Sequence, residues 1–343
     1  MAIIFVLLSH GDIINGGFGF FAVNTFFVLS GFLITCLLVE EFDKTNDVSL
    51  RNFYFRRALR LLPALVVMLG IFVVFSFLID PHKRAVREMY EALAAFFYFS
   101  NWAGIYDLGR HLSLAHTWSL SVEEQFYILW PGILLFLLSR TTRSSLLCWV
   151  SLAAFLAVVA RMGLFMLDTT NLSGNVLPAS PTRLMAGTDA RADSLLLGCL
   201  AALLISSNML PQKLGFKIFL KIAAAVSGLG LLWLGRRWEF SADMICMGWL
   251  AGSIFGVMLI LHLASETRGW LHRIFENQIL VYIGQISYGL YLWHYPVLIA
   301  MQQHQLPWRN MLYLIPVIPL VLMSYYFIEK PCLKFKKRFQ MVD

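Results

Sequence analysis

The strongest constraint in this sequence is a series of apolar runs, most of them long enough to cross a bilayer and several without any charge. FFAVNTFFVLSGFLITCLLV (20–39) and LLPALVVMLGIFVVFSFLI (61–79) are two of them. A helix needs roughly 20 such residues to span the hydrocarbon, and no other use of them suits a water-facing fold. The runs recur at 1–12 (short), 19–40, 61–79, 118–138, 145–167, 191–207, 217–235, 242–264, 279–303 and 309–328. They predict an all-α, polytopic membrane helix bundle with ten crossings. With 59% hydrophobic and 14% charged residues, the chain has no room for a large soluble domain.

The stretch VREMYEALAAFFYFSNWAG at 86–104 carries charges through its first turns and has a shorter apolar part. It predicts a membrane-embedded or interfacial helix that does not cross. Counting basic residues in short links supports that choice. With both termini inside, the cytoplasmic links hold Lys44, Arg51, Arg56, Arg57, Arg60, Arg140, Arg143, Lys213, Arg268, Arg273 and the tail KPCLKFKKRF, while Lys83, Arg84, Arg87 and the Arg236–Arg237 pair are exceptions in the outer links. If 86–104 crossed, the basic tail would lie outside. The formal charge of +7 therefore follows from topology, and nucleic acid is excluded as a partner. Five scattered cysteines show no metal-ligand or redox spacing, so no metal is expected. No repeat or linker divides the chain, which reads as one domain over 1–343. Its longest polar break, 167–190, is an outward-facing loop.

Ionisable groups at membrane depth cost about 2.5–3.5 kcal/mol each on insertion scales, so they are paired, face a wet interior or serve function. His10 closes the first run, with the Asp12 carboxylate two residues on. It reads either as a helix-end histidine meeting interfacial water or as an acid/base group. His294 lies among Tyr291, Trp293, Tyr295 and Pro296, a setting that favours a packed, hydrogen-bonded histidine. Glu123 and Glu124 head a segment that soon turns wholly apolar. Arg161, midway along a predicted helix, needs a partner, and one of these glutamates is a candidate. Arg191 and Asp193 open another helix and read as an ion pair or as charge at a helix N-terminus. Arg57 and Arg60, three apart in NFYFRRALRLLP, share one helical face. Two guanidiniums so placed can hold a phosphate by bidentate contacts, or simply obey the inside rule and touch lipid phosphates.

The order and spacing of these elements resemble the membrane-bound acyltransferase-3 family. Its members include O-acetylases of lipopolysaccharide O-antigen, peptidoglycan, exopolysaccharide and Nod factor. The resemblance covers nearly the whole length. It rests on His10, FFVLSGFLIT (26–35), FYFRRALRLLP (53–63), HTWSLSVEEQFYILWP (116–131), RADSLLLGCLAAL (191–203), ISYGLYLWHYP (286–296) and FIEKP (327–331). It implies transfer of an acyl group, usually acetyl from acetyl-CoA, to a carbohydrate hydroxyl at the bacterial inner membrane. On this resemblance His10 is the base, Glu123 orients His10 or the acceptor, and Arg57 and Arg60 grip coenzyme A phosphates inside. Glu124, about 100° around the helix, supports packing or pairs with an arginine.

Two departures shape the expectation. The family's first helix carries an arginine about ten residues before the histidine, but only nine residues precede His10. The reading frame is therefore expected to begin upstream, or the chain to be impaired. The C-terminal hydrolase-like domain of some relatives is missing from this sequence, leaving transfer to the membrane domain alone or with a partner. Two other functions stay open at this point: a transporter or flippase of a glycan or lipid intermediate, and an inactive scaffold.

Overall fold

The computed structural model describes residues 1–79, 83–106, 113–169, 181–211, 213–237, 244–265, 269–306 and 311–336. Every regular element among them is helical. In chain order they are α1 (Ala2–His10), α2 (Gly16–Thr45), α3 (Leu50–Ile79), α4 (Lys83–Phe96), α5 (Ser100–Ile105), α6 (Thr117–Arg140), α7 (Arg143–Thr169), α8 (Pro181–Ala186) and α9 (Thr188–Ser206). There follow α10 (Leu214–Arg237), a π-helical turn Met244–Gly248 leading into α11 (Trp249–Ser265), α12 (Trp270–Phe275), α13 (Gln278–Gln285), α14 (Ser287–Gln303), α15 (Leu314–Ser324), a second π turn Tyr325–Glu329, and α16 (Lys330–Lys336).

Six helical segments among the described residues are long and apolar enough to cross a membrane: Gly16–Thr45, Leu50–Ile79, Thr117–Arg140, Arg143–Met166, Leu214–Arg237 and Leu314–Phe335. The chain is a polytopic membrane helix bundle. The other four expected crossings are helical too, each with a physical reason for looking weaker. α1 is only 9 residues long. α9 carries Asp189, Arg191 and Asp193, a π turn precedes the 17-residue α11, and 279–303 is divided at Ile286 between α13 and α14. The stretch 86–104 is not one helix: α4 stops at Phe96, Tyr98 takes a left-handed φ of 53°, and α5 restarts at Ser100. The expected loop 167–190 holds the end of α7, all of α8 and the start of α9; its residues 170–180 lie outside the described residues.

Large apolar side chains face outward: Phe155 is 64% exposed, Leu229 68% and Phe327 77%. Buried positions, by contrast, include Asn24, Thr35, Ser194 and Ser253 at 0%. That inverted pattern suits a lipid solvent, where apolar surface costs nothing and polar groups must find partners inside.

The residues divide into two compact units. The first comprises Met1–Ser9, Ile14–Val48 and Val122–Asn277. Its α2 begins where the Asn15 side chain accepts from Gly17 N (2.9 Å), and ends where Asn46, at φ 56°, donates its N–H to Phe42 O (2.7 Å). The seam between α2 and α9 is made of backbone. A Cβ on Gly31 would strike the Leu195 carbonyl, and one on Gly198 would strike the Val28 carbonyl. Small residues at such a seam let helices approach until van der Waals contact becomes the driving force. α6 joins α2 through Ser30 Oγ donating to Glu123 Oε1 (2.8 Å) and Trp130 Nε1 donating to Thr35 Oγ1 (2.9 Å).

Arg161 on α7 pairs with Asp193 on α9 at 2.8 Å, both fully buried. This corrects the expectation that a glutamate partners Arg161, and the alternative of an Arg191–Asp193 pair. Residues two apart on a helix point about 200° from each other and cannot meet. Arg191 turns the other way, stacking over the Trp249 ring and donating to Leu184 O. Beside it, Asn24, Ser194, Ser253 and Trp249 close a buried hydrogen-bonded ring.

The second unit comprises His10–Ile13, Ser49–Ser121 and Gln278–Asp343. Here α3 packs against α4, α14 and α16. Tyr288 on α14 donates its hydroxyl to Leu61 O (2.9 Å), tying α14 to the turn of α3 that follows Arg60.

Candidate active site

Within the second unit three histidines from distant parts of the sequence converge. His10 ends α1, His116 lies in the turn before α6, and His294 is in α14. His294 Nε2 is 3.2 Å from His10 Nδ1, and the two ring centroids are 5.1 Å apart. The His116 ring is 5.4 Å from that of His294 and 5.1 Å from that of Tyr295, while Tyr295 meets His10 edge-on at 5.3 Å. His294 is completely buried and His116 is 5% exposed; His10 is half-buried.

The direction of the His10–His294 bond follows from what holds His294. Its Nδ1 faces two backbone carbonyls, Tyr291 O at 2.7 Å and Leu290 O at 3.0 Å. Carbonyls only accept, so Nδ1 carries a proton. A neutral His294 then has its lone pair on Nε2 and accepts from His10 Nδ1–H. That tautomer leaves the lone pair of His10 on Nε2, the nitrogen opposite the bond. A partner on one ring nitrogen setting the chemistry of the other is the usual way an imidazole is prepared as a base.

The turn that presents His116 is held from two sides. Tyr291 donates its hydroxyl to His116 O (2.7 Å), and Ser119 Oγ lies 2.6 Å from the same hydroxyl. On the other side Ser113 Oγ donates to Glu88 Oε1 (3.0 Å) and Leu114 N donates to Glu91 Oε2 (3.1 Å). Glu88 and Glu91 are three apart on α4, so one face of α4 grips the turn. Burial pushes the Glu91 carboxyl up to about 7, against the Leu114 hydrogen bond. It pushes His116 down to about 3, with repulsion from His10 when that ring is protonated adding to the effect, so His116 is neutral at neutral pH.

A scan against known families finds one whose profile, described as an acyltransferase domain, matches residues 1–329. The chain belongs to the acyltransferase-3 family. It is 34% identical to the peptidoglycan O-acetyltransferase OatA of Listeria monocytogenes, over 97% of this chain and 54% of that protein. It is 29% identical to the O-acetyltransferase OatA of Staphylococcus aureus, over 97% of this chain and 56% of that protein. The chain spans about half the length of the curated relatives it matches. No solved structure matches it.

The segments that carry the family resemblance are contact partners in this acyltransferase-3 chain. FFVLSGFLIT meets RADSLLLGCLAAL at the Gly31 and Gly198 seam, and meets HTWSLSVEEQFYILWP through Glu123 and Trp130. ISYGLYLWHYP carries Tyr288 to α3 and His294 to His10, six residues apart and thus about 9 Å along one helix. Arg57 is half-buried and Arg60 exposed, one turn apart on α3, and Arg60 acts electrostatically on Glu329 of FIEKP. Asp12 sits in the tight turn after His10 with φ 57° and is exposed. Glu124 is half-buried beside Glu123 on α6. Glu123, Glu124, Arg161, Arg191 and Asp193 belong to the first unit, and His10, Asp12, Arg57, Arg60 and His294 to the second.

Reading the sequence for misplaced charge passes over His116, Glu88 and Glu91. Two signals for them exist: His116 opens the same motif that holds Glu123, and two carboxylates three residues apart occur in a membrane-associated stretch.

Proposed function

We propose that this chain is a membrane O-acyltransferase that moves an acyl group, acetyl in the simplest case, from acyl-CoA to a hydroxyl of a cell-surface carbohydrate such as peptidoglycan. The carrying observation is the oriented imidazole pair, in which carbonyl-bound His294 accepts from His10 Nδ1 and leaves His10 Nε2 as a base. A sugar hydroxyl is a poor nucleophile until its proton is removed during attack, and a positioned imidazole contributes about 10²–10⁴-fold to such a step. The relatives' names, which specify O-acetyl transfer and in one case peptidoglycan, support the reaction and acceptor class.

The donor end is the Arg57 and Arg60 pair, whose guanidiniums suit the phosphates of coenzyme A. Tyr288 links the helix of His294 to the same part of α3, so one rigid element serves both ends. In the reaction the hydroxyl oxygen bonds to the thioester carbon as its proton passes to His10 Nε2. The tetrahedral adduct then expels the thiolate, which takes that proton back. The basic tail and links support cytoplasmic termini in a bacterial inner membrane, with donor inside and acceptor outside.

The test is release of coenzyme A thiol from acetyl-CoA by the purified chain in lipid vesicles, with an N-acetylglucosamine oligomer as acceptor. Wild type should release thiol and add one acetyl mass to the oligomer, and His10→Ala should do neither. Thiol release that survives His10→Ala, or a wild type that moves glycan without consuming thioester, would refute the proposal.

A further inference from the structure

Within the histidine cluster, His116 differs from His10 and His294, whose rings bond to each other. It is 5% exposed, and neither Nδ1 nor Nε2 meets hydrogen-bonding geometry with a partner among the described residues. The Leu292 carbonyl acts on the ring and favours its protonation slightly, but from outside that geometry. A neutral imidazole always carries one N–H and one lone pair. Leaving such a donor buried and unmatched costs about 1–3 kcal/mol, and a native orphan of this kind calls for an explanation. The fold commits hydrogen bonds to hold it there: Tyr291 on its own carbonyl, and Glu88 and Glu91 on the two residues preceding Ala115.

We propose that His116 is a further catalytic residue, whose imidazole N–H binds the carbonyl oxygen of the acyl group and stabilises the oxyanion that forms there. This rests on the acyl-transfer reading above. Three features of the site favour it. The ring stands beside the base, packed on His294 and Tyr295, both of which touch His10. Burial keeps it neutral, so it offers a donor without a competing proton to lose; a neutral imidazole is an effective electrophile where charge develops on oxygen. Its backbone is anchored on both sides, so the donor is preorganised.

The step balances. The acceptor oxygen adds to the carbonyl carbon while its proton goes to His10 Nε2. The carbonyl π pair moves onto oxygen, which accepts from the His116 N–H. Collapse restores the carbonyl and breaks the C–S bond, and the thiolate takes the proton from His10.

The test uses the full chain in lipid vesicles with acetyl-CoA carrying ¹³C at the carbonyl. The infrared carbonyl band of bound acetyl-CoA should lie at lower frequency than that of free acetyl-CoA in wild type and in His10→Ala, and should return to the free value in His116→Leu. The kcat for thiol release should fall by about 10²–10³-fold in His116→Leu, with KM little changed and part of the loss recovered in His116→Gln, which keeps an N–H. A band that is unshifted in wild type, or a His116→Leu protein with wild-type kcat, overturns the inference. If the Leu variant fails to fold, His116→Phe, which keeps a ring and has no N–H, takes its place, and a band left at the wild-type position there overturns the inference. The base reading fails separately, when His10→Ala retains turnover. Failure of wild type to bind acetyl-CoA overturns both.

Discussion

His294 Nε2 lies 3.2 Å from His10 Nδ1, while the far side of the His294 ring is clamped by the Tyr291 and Leu290 carbonyls. The ring that touches the base therefore cannot swap tautomer without giving up a backbone hydrogen bond. Replacing it should leave donor binding intact and remove orientation. His294→Ala is expected to lower kcat for thiol release by about 10²-fold or more with KM for acetyl-CoA nearly unchanged. His294→Gln, whose carbonyl can still accept from His10, should recover part of the loss. Equal kcat in the wild-type and Ala proteins would show that the contact is packing only.

The second prediction concerns the α2–α9 seam. The obstacle to a side chain at Gly31 is the Leu195 backbone carbonyl, which cannot rotate aside. Gly31→Ala should cost about 2 kcal/mol or more by overpacking, against the helix propensity it gains. A Cβ on Gly70, in α3, would meet nothing within 4 Å. Gly70→Ala is expected to be neutral or slightly stabilising. Thermal unfolding of both variants in detergent checks the contrast, and similar melting temperatures would remove the seam from the account.

How much of this is legible in the sequence varies with the range of the interaction. The bilayer acts on contiguous sequence, so α2, α3, α6, α7 and α10 are visible as apolar runs. Their ends are not: α3 reaches back to Leu50 through Arg51, Arg56, Arg57 and Arg60, because a helix continues past the hydrocarbon once its backbone is committed. The break at Tyr98 rests on one left-handed residue that is not glycine, which no pattern announces. Pairings between helices are the least legible. Nothing in one dimension says that Arg161 finds Asp193 on another helix, or that His10 finds His294 across most of the chain. His116 is hidden differently, since it lies outside any apolar run and does not stand out as a misplaced charge.

The Arg161–Asp193 pair gives the third prediction. Both side chains are fully buried at 2.8 Å, so removing one leaves the other charged and unmatched. Arg161→Met should destabilise by about 3–5 kcal/mol, while Arg161→Met combined with Asp193→Leu should lose much less. Unfolding in detergent of the two single variants and the double variant measures the coupling. Additive losses would mean that the pair contributes nothing beyond its parts.

Glu91 supplies a pH dependence with a definite sign. Burial raises its carboxyl from 4.5 to about 7; Glu88 adds to the rise, while the Leu114 and Ser113 backbone and Arg87 oppose it. Because the folded form holds its proton more tightly than the unfolded form, Glu91 contributes stability that is fully present below about pH 4.5. That contribution disappears as pH rises through about 7, a change on the order of 3 kcal/mol. The loss comes from burying the charge, since the Leu114 N–H bond itself favours the ionised form. Glu91→Gln keeps an oxygen for Leu114 N and cannot ionise. The wild-type melting temperature should therefore decline between pH 5 and pH 8 more steeply than that of Glu91→Gln. Parallel curves for the two proteins would show that the Glu91 carboxyl does not titrate in this window.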